Sequence, residues 1–343
     1  MLYTKTSNYD KFICIADRCP ASCCKGWEIV IDEEKIKEYS EYQGPIAGRL
    51  FNGINWEEGT FKQFNGRCAM LGDNEYCDLQ LEAGEGMLCN TCRLYPRHIE
   101  EFEDVRELSL SLSCPEAARI ILENTESINL LNWETDEEDD YDEYEDFDYL
   151  LYTQLVDARK KCLEIVQDRS LRFVDKVKIL ITYGYELQQC INTNEVYKME
   201  EISPDIVVAP LNDELTNDNI PNIMEKRWFS KLFELETLND NWKKTIDCAW
   251  KNWIPKEEFS HEEEVQAEQL LFFWIYTYFC GAVYDDLLFS KLMLAVCSTF
   301  WIFQINATNN FEGGIIQVAY SYAREIEHSD DNLVALDEWF DVV

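Results

Sequence analysis

Nine of the fourteen cysteines crowd into the first 114 residues of a 343-residue chain: Cys14, Cys19, Cys23, Cys24, Cys68, Cys77, Cys89, Cys92 and Cys114. Such density leaves two main uses, a disulfide framework or a metal site. Met1–Ser7 has no apolar run of the kind a secretory signal needs, so the expected compartment is reducing and cytoplasmic, where thiols serve as ligands. The cysteines come as Cys14-x4-Cys19-x3-Cys23-Cys24, then Cys68-x8-Cys77-x11-Cys89-x2-Cys92, then Cys114 alone. A structural zinc or a four-iron cluster takes about four thiolates, so nine suffice for either. Spacing does not decide the metal: redox use favours iron–sulfur, pure scaffolding favours zinc. Vicinal Cys23 and Cys24 are hard to place on one metal, which leaves one of them for another centre or for packing.

The neighbours of these cysteines carry further expectations. Cys114 precedes Pro115, which predicts an N-cap where the helix dipole stabilises a thiolate. Lys25, Arg93 and Arg97 are placed to offset cluster charge, Trp27 to exclude water, and His98 is an additional candidate ligand. Each residue also has an ordinary structural use; the clustering is what points to metal. Cys162, Cys190, Cys248, Cys280 and Cys297 sit singly in apolar helical patterns and read as core.

The expected fold is mainly α: a small Cys-rich metal-binding N-terminal domain with short β-hairpins, then an α-helical bundle. The boundaries read as 1–130 for the Cys-rich domain, 131–148 for an acidic linker and 149–343 for the bundle. In the first part Trp27–Ile31 alternates as a strand, and Asp32 caps a helix to Tyr42. Hairpins are expected from Cys68 to Cys77 around Gly72-Asp73-Asn74, and from Arg97 to Leu112 around Glu103-Asp104. Eleven of the fifteen residues in Glu134–Asp148 are acidic, the mark of a solvated linker. Beyond it the helical period covers Tyr149–Asp168, Leu171–Ile191, Asn222–Leu238, Trp242–Trp253, Glu262–Tyr284, Asp286–Ile305 and Gly313–Glu327. Leu270–Tyr284 and Leu292–Phe303 are too short to span a bilayer and read as core helices.

A formal charge of −37 excludes nucleic acid and anionic membrane surfaces as partners and favours a basic one. Gly-x-Gly-x-x-Gly, phosphate-loop, nucleophile-elbow and His-Glu-x-x-His signatures are absent, and so is the Cys-x3-Cys-x2-Cys triplet of radical S-adenosylmethionine enzymes.

Three strings stand out: Cys14-Ile-Ala-Asp-Arg-Cys19-Pro-Ala-Ser-Cys23-Cys24-Lys-Gly-Trp27, Leu88-Cys89-Asn-Thr-Cys92-Arg93-Leu-Tyr-Pro96-Arg97 and Ser109-Leu-Ser-Leu-Ser-Cys114-Pro-Glu-Ala-Ala-Arg119. Together they resemble the flagellin lysine-N-methylase (FliB-like) family, related to Cys-rich zinc- or iron-chelating domains. The resemblance covers about the first 120 residues; the helical part matches in length and general character. It implies an S-adenosylmethionine-dependent protein-lysine N-methyltransferase acting on flagellin surface lysines, with the nine cysteines holding an iron–sulfur cluster of the 4Fe-4S type. The partner would be flagellin or another lysine-bearing basic surface. The wider chelating group shows Cys-x3-Cys-x2-Cys-Cys, which this chain does not reproduce, so the sharing of sulfurs among centres stays open. Neither the donor pocket nor the catalytic residues can be placed; Tyr95 and Glu85 are candidates for accepting the lysine proton. The rival reading is a non-catalytic iron–sulfur or zinc protein, an electron carrier or an adaptor.

Overall fold

The computed structural model describes residues 1–136, 147–204 and 223–342. Most of the acidic run and of the proline-bearing segment 203–221 lies outside the described residues.

Strands and short helices alternate up to residue 134. They are β1 (Leu2–Thr6), β2 (Ile29–Val30), α1 (Glu33–Glu41), α2 (Ala47–Asn52), β3 (Ile54–Asn55), β4 (Thr60–Phe61), β5 (Gln63–Phe64), β6 (Arg67–Cys68), α3 (Asp78–Ala83), α4 (Asn90–Leu94), β7 (Arg97–Phe102), β8 (Val105–Leu110), α5 (Pro115–Leu122) and β9 (Leu130–Glu134). Helices then take over: α6 (Tyr149–Gln167), α7 (Phe173–Asn192), α8 (Lys226–Phe229), α9 (Asp240–Lys251), α10 (His261–Tyr278), α11 (Ala282–Asp285), α12 (Leu288–Thr308), α13 (Gly314–Glu327) and α14 (Asp330–Asp341). The chain is mainly α, with short strands in its first part.

Local chemistry accounts for several of these elements. Asp32 accepts the Lys35 N–H and opens α1 as its sequence position predicts. Pro115 occupies the first turn of α5 behind Cys114, and β7 and β8 form the expected hairpin with Phe102 opposite Val105. The Cys68–Cys77 hairpin forms only in part. Leu71 bridges Cys77 across the turn, but Cys68 pairs with Gln63 on the other side, because the Gln63–Phe64 strand offers the nearer ladder.

A four-stranded sheet of order β7-β8-β1-β9 holds the two ends of the first region together. β1 runs parallel to β8 and antiparallel to β9, with Tyr3 stacked on Trp133. Residues 131–134, read from sequence as the start of the linker, are therefore strand. The other face of the sheet packs on the helices: Glu107 of β8 is buried against Arg159 of α6, and the Tyr276 hydroxyl of α10 donates to the Thr4 carbonyl. One apolar core runs from Phe102, Leu112 and Ile121 through α6, α7, α10, α12 and α13. It crosses residue 130, where the sequence suggested a domain end. A second, smaller core gathers Ile29, Tyr39, Leu50, Phe61, Met70 and Leu79.

α12 is long and apolar enough to cross a membrane, yet 94% of its apolar window is buried among its neighbours. It is the central core helix. The expected helix over 222–238 shortens to α8 and a following 3-10 turn, Ser230–Phe233. Beyond it the Glu236 and Leu238 amides are taken by the Asn332 and Glu325 side chains, which compete with helix continuation.

Candidate functional site

The cysteine segments are fastened by backbone before any sulfur is considered. The Cys68 amide donates to the Cys24 carbonyl at 2.8 Å, and the Gly26 amide to Gly66 at 3.0 Å. Gly26 stands at φ +85°, a left-handed conformation that glycine adopts without strain. Asp32 works twice, capping α1 with one oxygen and accepting the Asn90 amide at 2.7 Å with the other, which brings Cys89 to β2. There the Cys89 thiol and the Thr91 hydroxyl both donate to the Val30 carbonyl. Cys77, Cys89 and Cys114 are the N-caps of α3, α4 and α5. Arg324 of α13 closes the set, donating from Nη2 to the Ala21 carbonyl at 2.6 Å and from Nε to the Ser113 carbonyl at 2.9 Å. One guanidinium thus joins the Cys19–Cys23 loop to the residue before Cys114.

The thiols fall into two adjoining neighbourhoods. Cys23 lies within electrostatic reach of Cys14 and Cys114, and Cys19 within reach of the same two. Cys24, Cys68, Cys77, Cys89 and Cys92 form the second set around the smaller core, and vicinal Cys23 and Cys24 connect the two. The hydrogen bond from Cys23 lowers the Cys24 pKa, and that from Cys92 lowers Cys89. The same bonds raise the donors Cys23 and Cys92. Burial pushes Cys68 up to about 12. Cys114 differs from the expectation for an N-cap: burial raises it to about 11, outweighing the Ala117 and Glu116 amides that favour thiolate.

Among the described residues, no three Cys, His, Asp or Glu side chains are grouped as ligands of one metal ion. The chemistry of the donor set nevertheless fits a thiolate-held centre. Nine thiols share one region, and their hydrogen bonds go to backbone groups, Ser22 or one another. His98 is engaged elsewhere, its Nε2 2.6 Å from Glu100. Of the three cations placed by sequence, Lys25 pairs with Glu75 at 2.5 Å, Arg93 bonds Asn90, and Arg97 lies over Tyr9 and Phe12. Cys162, Cys190, Cys280 and Cys297 are buried as expected, and Cys248 is half-buried.

Beside the first sulfur neighbourhood lies an aromatic and hydroxyl cluster. Trp27 donates its indole N–H to the Cys23 carbonyl at 2.5 Å and stacks on His328, with Tyr95 against both rings. His328 Nε2 is 3.0 Å from the Ser113 hydroxyl, which lies 3.1 Å from the Tyr95 hydroxyl and 2.6 Å from that of Ser111. Ser111 and Tyr278 both donate to Glu327. Burial lowers His328 to about 4, so its ring is neutral at physiological pH, and raises Glu327 to about 7. Tyr95 is less suited to accept a proton than the sequence suggested, since burial raises its hydroxyl well above the usual range. Glu85 is exposed on the Glu85–Met87 turn, outside the cavity described next.

A cavity of about 750 Å³ opens between the loop 20–26 and the helices α9 and α13, with Arg324, Glu325 and His328 on its wall. None of these three was legible in the sequence. An arginine or histidine in an amphipathic helix looks like any surface charge, and no spacing links residue 324 to residue 21.

The fold and this region define a mainly α protein whose thiol-rich segment is locked against the last long helices around an open cavity. Residues 159–342 match the family described as FliB lysine N-methylase C-terminal domain. The chain belongs to the FliB lysine N-methylase family. The match falls on the helices, where the sequence reading found only general likeness, and not on the cysteine strings that carried the resemblance. Among curated relatives, the chain is 29% identical over 136 residues to a lysine-N-methylase of Salmonella typhimurium, an alignment covering 37% of this chain and 34% of the relative. It is 30% identical over 128 residues to the flagellar biosynthetic protein FliU of Salmonella muenchen, covering 35% and 76%. A lysine-N-methylase of Salmonella choleraesuis is also 30% identical over 128 residues, covering 35% and 32%. The chain thus spans about a third of the length of the two lysine-N-methylases. No solved structure matches.

Proposed function

We propose that this chain is a cytoplasmic protein-lysine N-methyltransferase that transfers a methyl group from S-adenosylmethionine to surface lysines of flagellin. One observation carries the reading. The cavity that meets the cysteine loop is walled on its other side by α9 and α13, both within the segment that places the chain in the lysine N-methylase family.

The chemistry asked of the residues is modest. A lysine ammonium must lose a proton before its nitrogen can displace the methyl group, and the two reactants must be held in line. His328 stands on the cavity wall in its neutral form, and Ser113 and Ser111 lead from it to Glu327. A proton relayed through the imidazole, too weak a base at about 4 to keep it, passes along the two hydroxyls to the Glu327 carboxylate, whose pKa near 7 suits the role of acceptor. The acidic balance of the chain favours approach of a lysine-bearing surface.

Cys14, Cys19, Cys23, Cys24, Cys68, Cys77, Cys89, Cys92 and Cys114 are the donors from which an iron–sulfur cluster of the 4Fe-4S type would draw its ligands, with zinc as the alternative. When bound, such a cluster would supply redox capacity or structural support. Substitution of lysine itself needs no electron transfer.

The test is incubation of the anaerobically purified protein with methyl-labelled S-adenosylmethionine and flagellin, with lysine methylation read by mass spectrometry. Label on flagellin lysines is expected. Its absence with metal-loaded protein would leave the non-catalytic reading in place.

A further inference from the structure

The cavity between the cysteine loop and α13 has an unusual charge arrangement. The whole chain carries −37, and its other cation on this wall, Lys25, is engaged by Glu75 at 2.5 Å. Arg324 spends two N–H groups on the Ala21 and Ser113 carbonyls, and among the described residues no carboxylate forms an ion pair with it. Its positive charge is therefore fixed in position and pre-oriented at the wall, with the Tyr320 ring 5.9 Å away and the Cys19 and Cys114 thiols, but no paired carboxylate, near it. A guanidinium held this way is a ready receptor for a carboxylate, because the cost of orienting it has already been met by the fold.

The rest of the wall complements a ligand that also carries a cation and a flat ring. Asp240, the first residue of α9, lies on the same cavity, while Glu325 is committed to the Leu238 amide at 2.8 Å. Trp242, Tyr320 and Phe311 add aromatic surface. About 750 Å³ falls within the range of small-molecule sites and exceeds what an amino acid alone would fill.

We infer that this cavity is the methyl-donor site, and that Arg324 holds the carboxylate of the donor's amino-acid end. The inference rests on the S-adenosylmethionine reading above and adds to it a place and a gripping residue. Asp240 then faces the donor's ammonium, and the aromatic side chains its adenine. His328, on the same wall, brings the proton path within reach of the bound donor.

The experiment is calorimetric titration of the full, anaerobically purified chain with S-adenosylhomocysteine and with 5′-methylthioadenosine, which shares the nucleoside and thioether but lacks the amino-acid end. The wild type is expected to bind S-adenosylhomocysteine more tightly by about tenfold or more, the worth of a charged hydrogen bond. R324Q is expected to erase that preference while leaving methylthioadenosine binding unchanged. Because Arg324 also fastens two loops, retained methylthioadenosine binding is the control for an intact cavity. S321W, which fills the cavity from α13, should abolish both. If R324Q keeps the preference, or weakens both ligands alike while S321W weakens neither, the site is elsewhere and only this inference falls. If the wild type binds neither ligand, the S-adenosylmethionine reading itself falls.

Discussion

Glu107 and Arg159 meet with side chains only 5% and 4% exposed, the guanidinium also bonding the Tyr276 carbonyl at 3.0 Å. Removing one partner of such a pair strands the other charge away from water. E107Q should therefore cost about 3–5 kcal/mol, read as a lowered urea midpoint at unchanged slope. A loss below about 1 kcal/mol would show that Arg159 finds another partner or reaches solvent. Glu325, 3% exposed, gives a pH signature of its own. Burial raises its carboxyl from 4.5 to about 7, so the folded chain keeps a proton that the unfolded chain releases. That contribution is complete below pH 4.5 and is lost as pH rises through 7, by about 3 kcal/mol at most. E325Q, which keeps an acceptor for the Leu238 amide, should flatten the decline in stability between those limits. An unchanged profile would place the titration on another group.

Elements show where sequence information was sufficient. Caps and turns are local, so Asp32, Pro115 and the Glu103-Asp104 hairpin were read correctly from adjacent residues. β1 and β9 were missed because their partners lie more than a hundred residues away, and β1 buries Thr4 and Thr6, which no hydrophobic alternation marks. α14 was missed despite a cap of the ordinary kind, Ser329 accepting the Asn332 amide. Capping also offers a test. Ser260 and Glu263 form a reciprocal capping box at the start of α10, a helix whose side chains reach the sheet, α7 and α12. S260A should destabilise the chain by about 1 kcal/mol in thermal or urea unfolding. No change would mean that Lys256, paired with Glu263 at 2.8 Å, holds the helix start alone.

For the whole molecule, sequence showed which residue types matter but not what they face. The nine cysteines were evident from spacing, and their gathering follows from backbone bonds between segments 24–26 and 66–68 and from bonds that tie residues 89–91 to Val30 and Asp32. Their opposite wall was not evident, because Arg324 and His328 reach the cysteine loop and Ser113 only through the tertiary packing of α13 on α5. The two neighbourhoods of thiols, joined at Cys23-Cys24, support the proposal that these cysteines hold metal beside the cavity. The direct measurement is iron, zinc and acid-labile sulfide per chain in anaerobically purified protein, wild type against C89A/C92A. Iron with matching sulfide in the wild type, and a marked loss of both in the double variant, is the predicted result. Zinc without sulfide would assign the alternative centre, and a metal content that the double substitution leaves unchanged, or no metal at all, would contradict the proposal.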